Sequence, residues 1–159
     1  MSQTKTVLIV EDDPVFRRVL SFSIAKKGMI VETANHGGSG FDRLMNGGID
    51  FLVTDLQMPL CSGIELLERL QAVKGYQCPS TVLCTAKGLE LDRNDLIERF
   101  NLLALMHKPF SPRKLTEVII NHFEEVAGVV DKDQEATEMI TPTFAMNPIA
   151  LQADVGHHG

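Results

Sequence analysis

Five polar residues follow apolar runs in the first 110 residues, and their types suit magnesium and phosphate chemistry. Glu11 and Asp12 come directly after TVLIV, Asp55 comes directly after FLVT, and Thr85 and Lys108 follow two further apolar runs. Neighbouring carboxylates repel one another, and a divalent cation that prefers oxygen ligands relieves this repulsion. A carboxylate held beside such a cation can attack a phosphoryl group and form an aspartyl phosphate.

The apolar runs alternate with amphipathic stretches, and this alternation predicts how the polar residues are brought together. Five strand–helix units in a row indicate an α/β fold, with a parallel sheet and helices on both faces. Ligands of such sheets bind at the carboxyl ends of the strands, so the polar residues are expected to converge at one edge. The predicted strands cover residues 6–10, 29–33, 51–54, 80–84 and 102–106.

Local signals predict where the helices begin. Asp13 followed by Pro14 is typical of an N-cap and first helical residue. Ser62 with Glu65 three residues later predicts a capping box. The predicted helices cover about residues 15–27, 37–46, 63–74 and 90–100, and a fifth begins at residues 111–112. In the first of them the residues near helical spacing are Val15, Phe16, Val19, Leu20, Phe22 and Ser23.

The residue types suggest which groups would hold the cation. Mg²⁺ favours an octahedral shell of one or two carboxylates, waters and phosphate oxygens. We assign Asp12 and Asp55 as direct ligands, Glu11 as a ligand through water, and the backbone carbonyl of Gln57 as the remaining protein ligand.

Phosphoryl transfer also needs positive charge and hydrogen-bond donors around the equatorial oxygens. We assign Lys108 as the second cation and the Thr85 hydroxyl as a donor, with a further contribution from the Ala86 amide.

The segments VLIVEDDP, DFLVTDLQMPLCSG, LCTA and HKPF resemble the signature segments of the response-regulator receiver family, over about residues 5–127. The resemblance implies a flavodoxin-like (βα)5 doubly wound sheet with strand order 2-1-3-4-5. It also implies phosphoryl transfer from a histidine kinase or a histidine phosphotransfer protein onto Asp55, with Mg²⁺ as cofactor. Glu11 and Asp12 match the acidic pair of the family.

The resemblance carries over three more positions. Thr85 matches the switch hydroxyl, Lys108 matches the active-site lysine, and Pro109 matches the position whose preceding peptide bond is usually cis. Gln57 and Lys87 match positions that modulate how long the phosphoryl group survives.

One switch position departs from the family pattern. The family usually has an aromatic residue three positions before the lysine, and this chain has Leu105 there. Residues 102–106 are all apolar and allow two interpretations, a buried fifth strand or an exposed face for a partner or a self-dimer. That face would be formed by helix 4, strand 5 and helix 5.

Charge and composition limit the domain organisation, the classes of partner and the cellular location that are expected. Residues 1–130 have a net charge of −2 and are the predicted receiver domain, whereas residues 131–159 have a net charge of −4 and are predicted to be a flexible tail or linker. Without a basic excess, DNA or RNA binding is not expected. No signal peptide or membrane span is recognisable, and three cysteines without metal spacing fit reduced thiols, so we expect a cytoplasmic protein.

Three functional hypotheses follow. The first is a receiver without a DNA-binding output domain, or the first part of a longer regulator, that signals through protein contacts and is not an enzyme. The second is a Mg²⁺-dependent phosphatase or phosphotransferase with Asp55 as nucleophile, which would generally need a carboxylate where this chain has Gln57. The third, a flavodoxin-like cofactor binder, is disfavoured by the acids after the first strand, which would repel a phosphate.

Overall fold

The computed structural model describes residues 3–86 and 91–128. Of the described residues, those up to Thr116 belong to one compact unit, and those from Glu117 to Gly128 belong to a second. The first unit contains a sheet of five parallel strands in the order β2-β1-β3-β4-β5, which confirms the predicted flavodoxin-like fold class. The strands are β1 Thr6–Val10, β2 Ile30–Ala34, β3 Phe51–Asp55, β4 Ser80–Thr85 and β5 Ala104–His107.

Helices follow the strands in sequence. They are α1 Pro14–Ala25, α2 Gly37–Met45, α3 Gly63–Ala72, α4 Arg93–Phe100, and α5 over residues 112–128, where the described part of the chain ends. The side chain of Asp13 caps α1, and Ser62 and Glu65 form the predicted capping box of α3. The predicted tail at 131–159 lies outside the described residues, so its boundary remains a prediction.

The register of the sheet brings the ends of the strands level. Val10 of β1 pairs with Thr54 of β3, so Glu11 and Asp55 are each one residue beyond a paired position. On the other side Asp55 pairs with Cys84, which places Thr85 one residue further along β4. The parallel register alone therefore gathers the polar residues at one edge.

Several boundaries differ from the sequence prediction by one to three residues, and two of these differences have clear local reasons. β5 begins at Ala104 rather than at residue 102, because Leu102 donates its amide to Ile97 and so completes the end of α4 after the left-handed Asn101. α4 begins at Arg93 with Asp92 as its N-cap, two to three residues later than predicted.

The apolar residues of α1 are not all buried. The helix buries Leu20 and Ile24, whereas Val15 and Phe22 are both 71% exposed and Val19 is 45% exposed. The helical spacing was correct, but spacing alone does not tell which of two apolar sides faces the sheet. The second side remains a stripe of exposed apolar residues.

The burial of residues 102–106 distinguishes between their two interpretations. Leu102, Leu105 and Met106 are buried, and Leu103 is 41% exposed. The buried-strand interpretation is therefore favoured over an extended apolar face along β5. Within the described residues, no helix is long and apolar enough to cross a membrane.

Gly63 provides a test of how closely the start of α3 approaches the strand end. A Cβ at this position would overlap the carbonyl oxygen of Asp55 and crowd the Cα of Leu56, both of which are backbone atoms. We expect Gly63→Ala to lower the free energy of unfolding by about 1–3 kcal/mol, the usual cost of overpacking, as measured by urea denaturation. In the control Gly128→Ala the added Cβ meets nothing within 4 Å and alanine favours the helix, so no loss of stability is expected. Equal stability of both variants would contradict the close approach.

Candidate functional site

Three carboxylates lie together at the carboxyl edge of the sheet. Glu11 is 2% exposed and Asp55 is 6% exposed, so both side chains are largely removed from water. One carboxylate oxygen from each of Glu11, Asp12 and Asp55 lies within 4.8 Å of the others. The structure thus brings together the three acids that the sequence predicted as a cluster.

Lys108 supplies positive charge to this cluster from the end of β5. Its Nζ lies 2.9 Å from Oε2 of Glu11 and 3.3 Å from Oδ1 of Asp55. Its backbone amide donates to the carbonyl of Thr85 at 2.8 Å, which fixes the start of the lysine relative to β4. The peptide bond from Lys108 to Pro109 is cis, as expected from the resemblance.

An aromatic pair covers one side of the lysine, and no sequence pattern predicted it. The Lys108 Nζ is 4.8 Å from the centre of the Phe16 ring, within the range of a cation–π interaction. Phe16 in turn meets Phe110 edge to face, with 5.5 Å between ring centres. The pair limits the directions in which the ammonium group can move.

Burial dominates the electrostatics of the acids. Loss of hydration raises the pKa of Glu11 and the pKa of Asp55 above their ordinary values, and the contacts with Lys108 only partly oppose this. Burial also acts to lower the pKa of Lys108, but the two carboxylates outweigh it and the net pKa of the lysine is raised. The lysine therefore stays charged, but its single positive charge does not fully compensate the two buried carboxylates.

Backbone contacts hold Glu11 in place. Its Oε1 accepts from the amide of Asp13 at 3.1 Å, and its own amide donates to the carbonyl of Ala34 at 3.0 Å. Arg17 donates from Nη1 to the Glu11 carbonyl at 2.8 Å. Sequence reasoning missed Arg17, because a basic residue one turn into a helix is usually just a solvated charge.

The donor set fits a magnesium ion. Glu11, Asp12 and Asp55 offer hard carboxylate oxygens, the type that Mg²⁺ prefers. Ligands of one octahedral Mg²⁺ lie at most about 4.2 Å apart, since each bond is about 2.1 Å long. One oxygen from each of the three acids lies within 4.8 Å of the others, so the acids are nearly close enough to share one ion. The raised pKa values of Glu11 and Asp55 show that additional positive charge would be stabilising here.

The other predicted site residues lie around this cluster. Thr85 is fully buried at the end of β4, and its hydroxyl has only a long contact of 3.5 Å with the carbonyl of Ala86. Gln57 is exposed in the β3–α3 loop, which we define as residues 56–62. Lys87 lies outside the described residues.

Leu105 occupies the switch position identified from the sequence. It is 3% exposed and belongs to the same hydrophobic cluster as Leu96 and Phe100 of α4. The Leu105 side chain is therefore part of the core in this structure, and it does not reach solvent as an exposed aromatic ring would.

The β3–α3 loop has one feature that the sequence did not indicate. Leu60 is 90% exposed and has a φ of 71°, in the left-handed region that normally favours glycine or asparagine. No local sequence signal predicts a leucine in this conformation.

A second missed residue lies at the start of α2. His36 caps this helix through its side chain, a role that no sequence pattern predicted. The adjacent Gly37 amide donates to the carbonyl of Cys61 in the β3–α3 loop at 3.1 Å.

Known proteins give an independent view of the same arrangement. Residues 7–120 match the family model described as the response regulator receiver domain. The chemotaxis protein CheY of Pseudomonas aeruginosa is 32% identical over 125 residues, which cover 77% of this chain and 98% of that protein. A receiver domain structure (CheY-like) from Methanospirillum hungatei JF-1 matches with a TM-score of 0.66 at 26% identity, covering 77% of this chain and 96% of that one.

Some relatives are considerably longer. A Porphyra purpurea protein named "Probable transcriptional regulator ycf29" is 29% identical over 117 residues, covering 72% of this chain and 54% of that protein. The chain thus spans about half the length of the first relatives that it matches.

The chain belongs to the response-regulator receiver family of two-component signal transduction. Members of this family are signalling proteins, and receiver domains bind Mg²⁺ at an acidic pocket. Glu11, Asp12 and Asp55 form an acidic cluster of that kind here.

The burial of Asp55 predicts a stability effect that depends on pH. Because the folded-state pKa of Asp55 is raised, the ionised carboxylate destabilises the fold at neutral pH, and this penalty disappears as the pH falls through the raised pKa. We expect Asp55→Asn to raise the free energy of unfolding by about 0.5–2 kcal/mol at neutral pH in EDTA, measured by urea denaturation. The gain should shrink in acid.

Asp42→Asn is the matched control, because Asp42 is exposed on α2. Its free energy of unfolding should change by no more than about 0.5 kcal/mol. A loss of stability in Asp55→Asn at neutral pH would mean that the Lys108 contact, and not burial, dominates.

Proposed function

We propose that the chain is a phosphorylation-controlled switch that accepts a phosphoryl group on Asp55, with Mg²⁺ held beside it. The observation that carries this proposal is the buried Asp55 carboxylate, with a lysine ammonium 3.3 Å away and two further acids within reach of one cation. That arrangement provides a nucleophile, a metal position and a second positive charge at one edge of the sheet. The phosphodonor would be a histidine kinase or a histidine phosphotransfer protein.

In the proposed transfer, one oxygen of Asp55 attacks phosphorus as the bond from phosphorus to the donor's imidazole nitrogen breaks. The bonding electron pair leaves with the imidazole, and the phosphoryl group becomes a mixed anhydride on Asp55. Asp12 and Asp55 would hold Mg²⁺ directly, Glu11 would act through water, and the Gln57 carbonyl would complete the protein ligands. The bound ion would neutralise charge that develops on the phosphoryl oxygens.

Lys108 is proposed to change partners during this reaction. Its ammonium contacts Glu11 and Asp55 in the structure, and phosphoryl oxygens on Asp55 would compete for the same donor. The Thr85 hydroxyl, whose 3.5 Å contact with Ala86 is near the limit of a hydrogen bond, is free to turn toward a stronger acceptor at little cost. The Ala86 amide would be an additional donor.

The signal is proposed to pass through rearrangement around Thr85 and not through a rotating aromatic residue. Leu105 is packed with Leu96 and Phe100, so its volume is already part of the core. Movement of Thr85 would therefore act on the packing of β4 against β5 and α4. Gln57 and Lys87 are proposed to tune the lifetime of the phosphoryl group.

The exposed stripe on α1 supports a protein partner near the site. Val15, Val19 and Phe22 form a stripe that begins four residues after Glu11, and grouped exposed apolar residues mark interaction surfaces. We propose that the phosphodonor contacts this stripe. The downstream partner is proposed to be a protein effector.

Labelling with a small phosphodonor tests the proposed function. After incubation with acetyl phosphate and Mg²⁺, intact mass spectrometry should show one phosphoryl adduct. The adduct should be absent in Asp55→Asn and in EDTA, because the variant lacks the nucleophilic oxygen and the chelator removes the metal.

Asp50→Asn serves as a control for phosphorylation of a different aspartate. Asp50 lies at the opposite end of β3, where it accepts a hydrogen bond from the Thr6 amide. The variant should label like the unaltered chain. An adduct that persists in Asp55→Asn, or that forms equally without a divalent metal, would refute the proposal.

The burial of β5 predicts that phosphorylation does not act through a self-dimer. A stable interface buries about 1,200–2,000 Å² in total, and within residues 102–106 Leu103 is the one side chain that is exposed. We expect sedimentation velocity to show the same monomer with and without beryllofluoride and Mg²⁺. A shift to a dimer on adding beryllofluoride would restore the self-dimer interpretation.

A further inference from the structure

The first turn of α2 is capped by an imidazole. Nδ1 of His36 accepts from the amides of Gly38 and Ser39, at 3.1 Å and 3.2 Å. Only the neutral ring can accept at this nitrogen, because protonation converts both ring nitrogens into donors. The imidazole is also the side chain that ordinarily gains its proton between about pH 5 and pH 8.

The sequence of α2 makes this turn unusually dependent on its cap. The helix begins Gly37-Gly38-Ser39-Gly40, and glycine is less favourable than alanine in a helix. Two of these glycines are required by packing. A Cβ on Gly37 would collide with the Cys61 thiol and carbonyl, and a Cβ on Gly40 would crowd Val10. At these two positions the turn cannot gain helix propensity by substitution, so it depends strongly on its cap.

The same turn is attached to the β3–α3 loop. Gly37 is buried, and its amide donates to the carbonyl of Cys61 at 3.1 Å. The next residue, Ser62, is the N-cap of α3. The first helical residue, Gly63, lies against the carbonyl of Asp55. A change in the first turn of α2 therefore reaches the loop that follows the acidic cluster in sequence.

We propose that His36 makes the first turn of α2 a pH-sensitive clamp on the β3–α3 loop, closed while the imidazole is neutral and released when it is protonated. Protonation removes two accepted hydrogen bonds and places a positive charge at the positive end of the helix dipole. With the cap lost, the glycine-rich turn unravels and the bond between Gly37 and Cys61 is no longer supported. The clamp does not depend on phosphoryl transfer.

Three acids near α2 have partners of their own. Glu32 pairs with Arg43, Glu65 accepts from the Ser62 amide, and Glu11 pairs with Lys108. The charged groups near α2 lie on α2 itself, on β2 and α3, which pack against it, and directly after β1. They are Asp42, Arg43, Glu32, Glu65, Glu68, Arg69, Glu11 and Asp12. Glu11 has a raised pKa through burial and also takes up a proton in acid, so the experiment must separate its effect from that of His36.

Amide hydrogen exchange of the whole chain, followed by NMR, tests the clamp. Between about pH 8 and about pH 5, protection of the Gly38 and Ser39 amides, corrected for the intrinsic rate, should fall by about tenfold, the equilibrium change expected for a lost cap. The carbonyl carbon of Cys61 should shift with the same midpoint as the His36 ring. At the higher pH the ring should carry its proton on Nε2.

Three variants distinguish the clamp from general acid effects. His36→Asn retains a cap acceptor that does not titrate, so protection should be high at both pH values. His36→Ala should give low protection at both. His122→Asn makes the same substitution in α5 and should behave like the unaltered chain.

Each of three results would overturn the proposal. One is unchanged protection of Gly38 and Ser39 after the His36 ring has titrated. Another is an equal fall in protection in His36→Asn, which would assign the effect to Glu11 or another acid. The third is a neutral ring with its proton on Nδ1, which would exclude the cap itself.

Discussion

The site depends on one electrostatic constraint, which is that two carboxylates are held away from water and need positive charge nearby. Glu11 and Asp55 are buried because β1 and β3 pair in parallel and end level, so the residue that follows each strand falls at the same edge. The pKa of each acid is raised by this burial, even with Lys108 in contact with both. The fold thus maintains a deficit of positive charge that a divalent ion would satisfy, and this is why binding and chemistry are expected at this edge.

Backbone contacts fix the geometry around the acids more than side-chain contacts do. The amide of Leu56 donates to Cys84, the amide of Gly63 donates to Leu56, and the amide of Lys108 donates to Thr85. These bonds connect β3, β4, β5 and the start of α3 into one frame. Because the frame is made of main-chain groups, the positions of Asp55 and Lys108 tolerate variation in most surrounding side chains, which agrees with a shared fold at 26% sequence identity.

The sequence predicted the fold and the acidic cluster because both depend on period and position. The alternation of apolar runs with amphipathic stretches determined the parallel sheet, and the strand ends located Glu11, Asp55 and Lys108. What could not be predicted depends on three-dimensional packing. Helical spacing put Val15, Val19 and Phe22 on one side of α1 but could not show that the sheet covers the other side, with Leu20 and Ile24.

Other unpredicted features involve contacts distant in sequence or atypical residue choices. The Phe16–Phe110 pair joins residues 94 positions apart, and nothing local to either marks the contact. His36 was missed because histidine is not among the usual N-cap residues, and its role is visible only from the position of Nδ1. The roles assigned to all of the site residues, including Gln57, Ala86 and Lys87, remain predictions.

Leu60 has a consequence for how the β3–α3 loop could respond to its surroundings. A non-glycine residue in the left-handed region carries a conformational penalty of about 1–2 kcal/mol, and here the side chain is also fully presented to solvent. Two independent sources of free energy are therefore available at one position, relaxation of the main chain and burial of a leucine. A molecule that covered Leu60 while its backbone returned to an extended conformation would gain both contributions to its binding free energy. Residue 60 could in this way couple binding to the conformation of the loop.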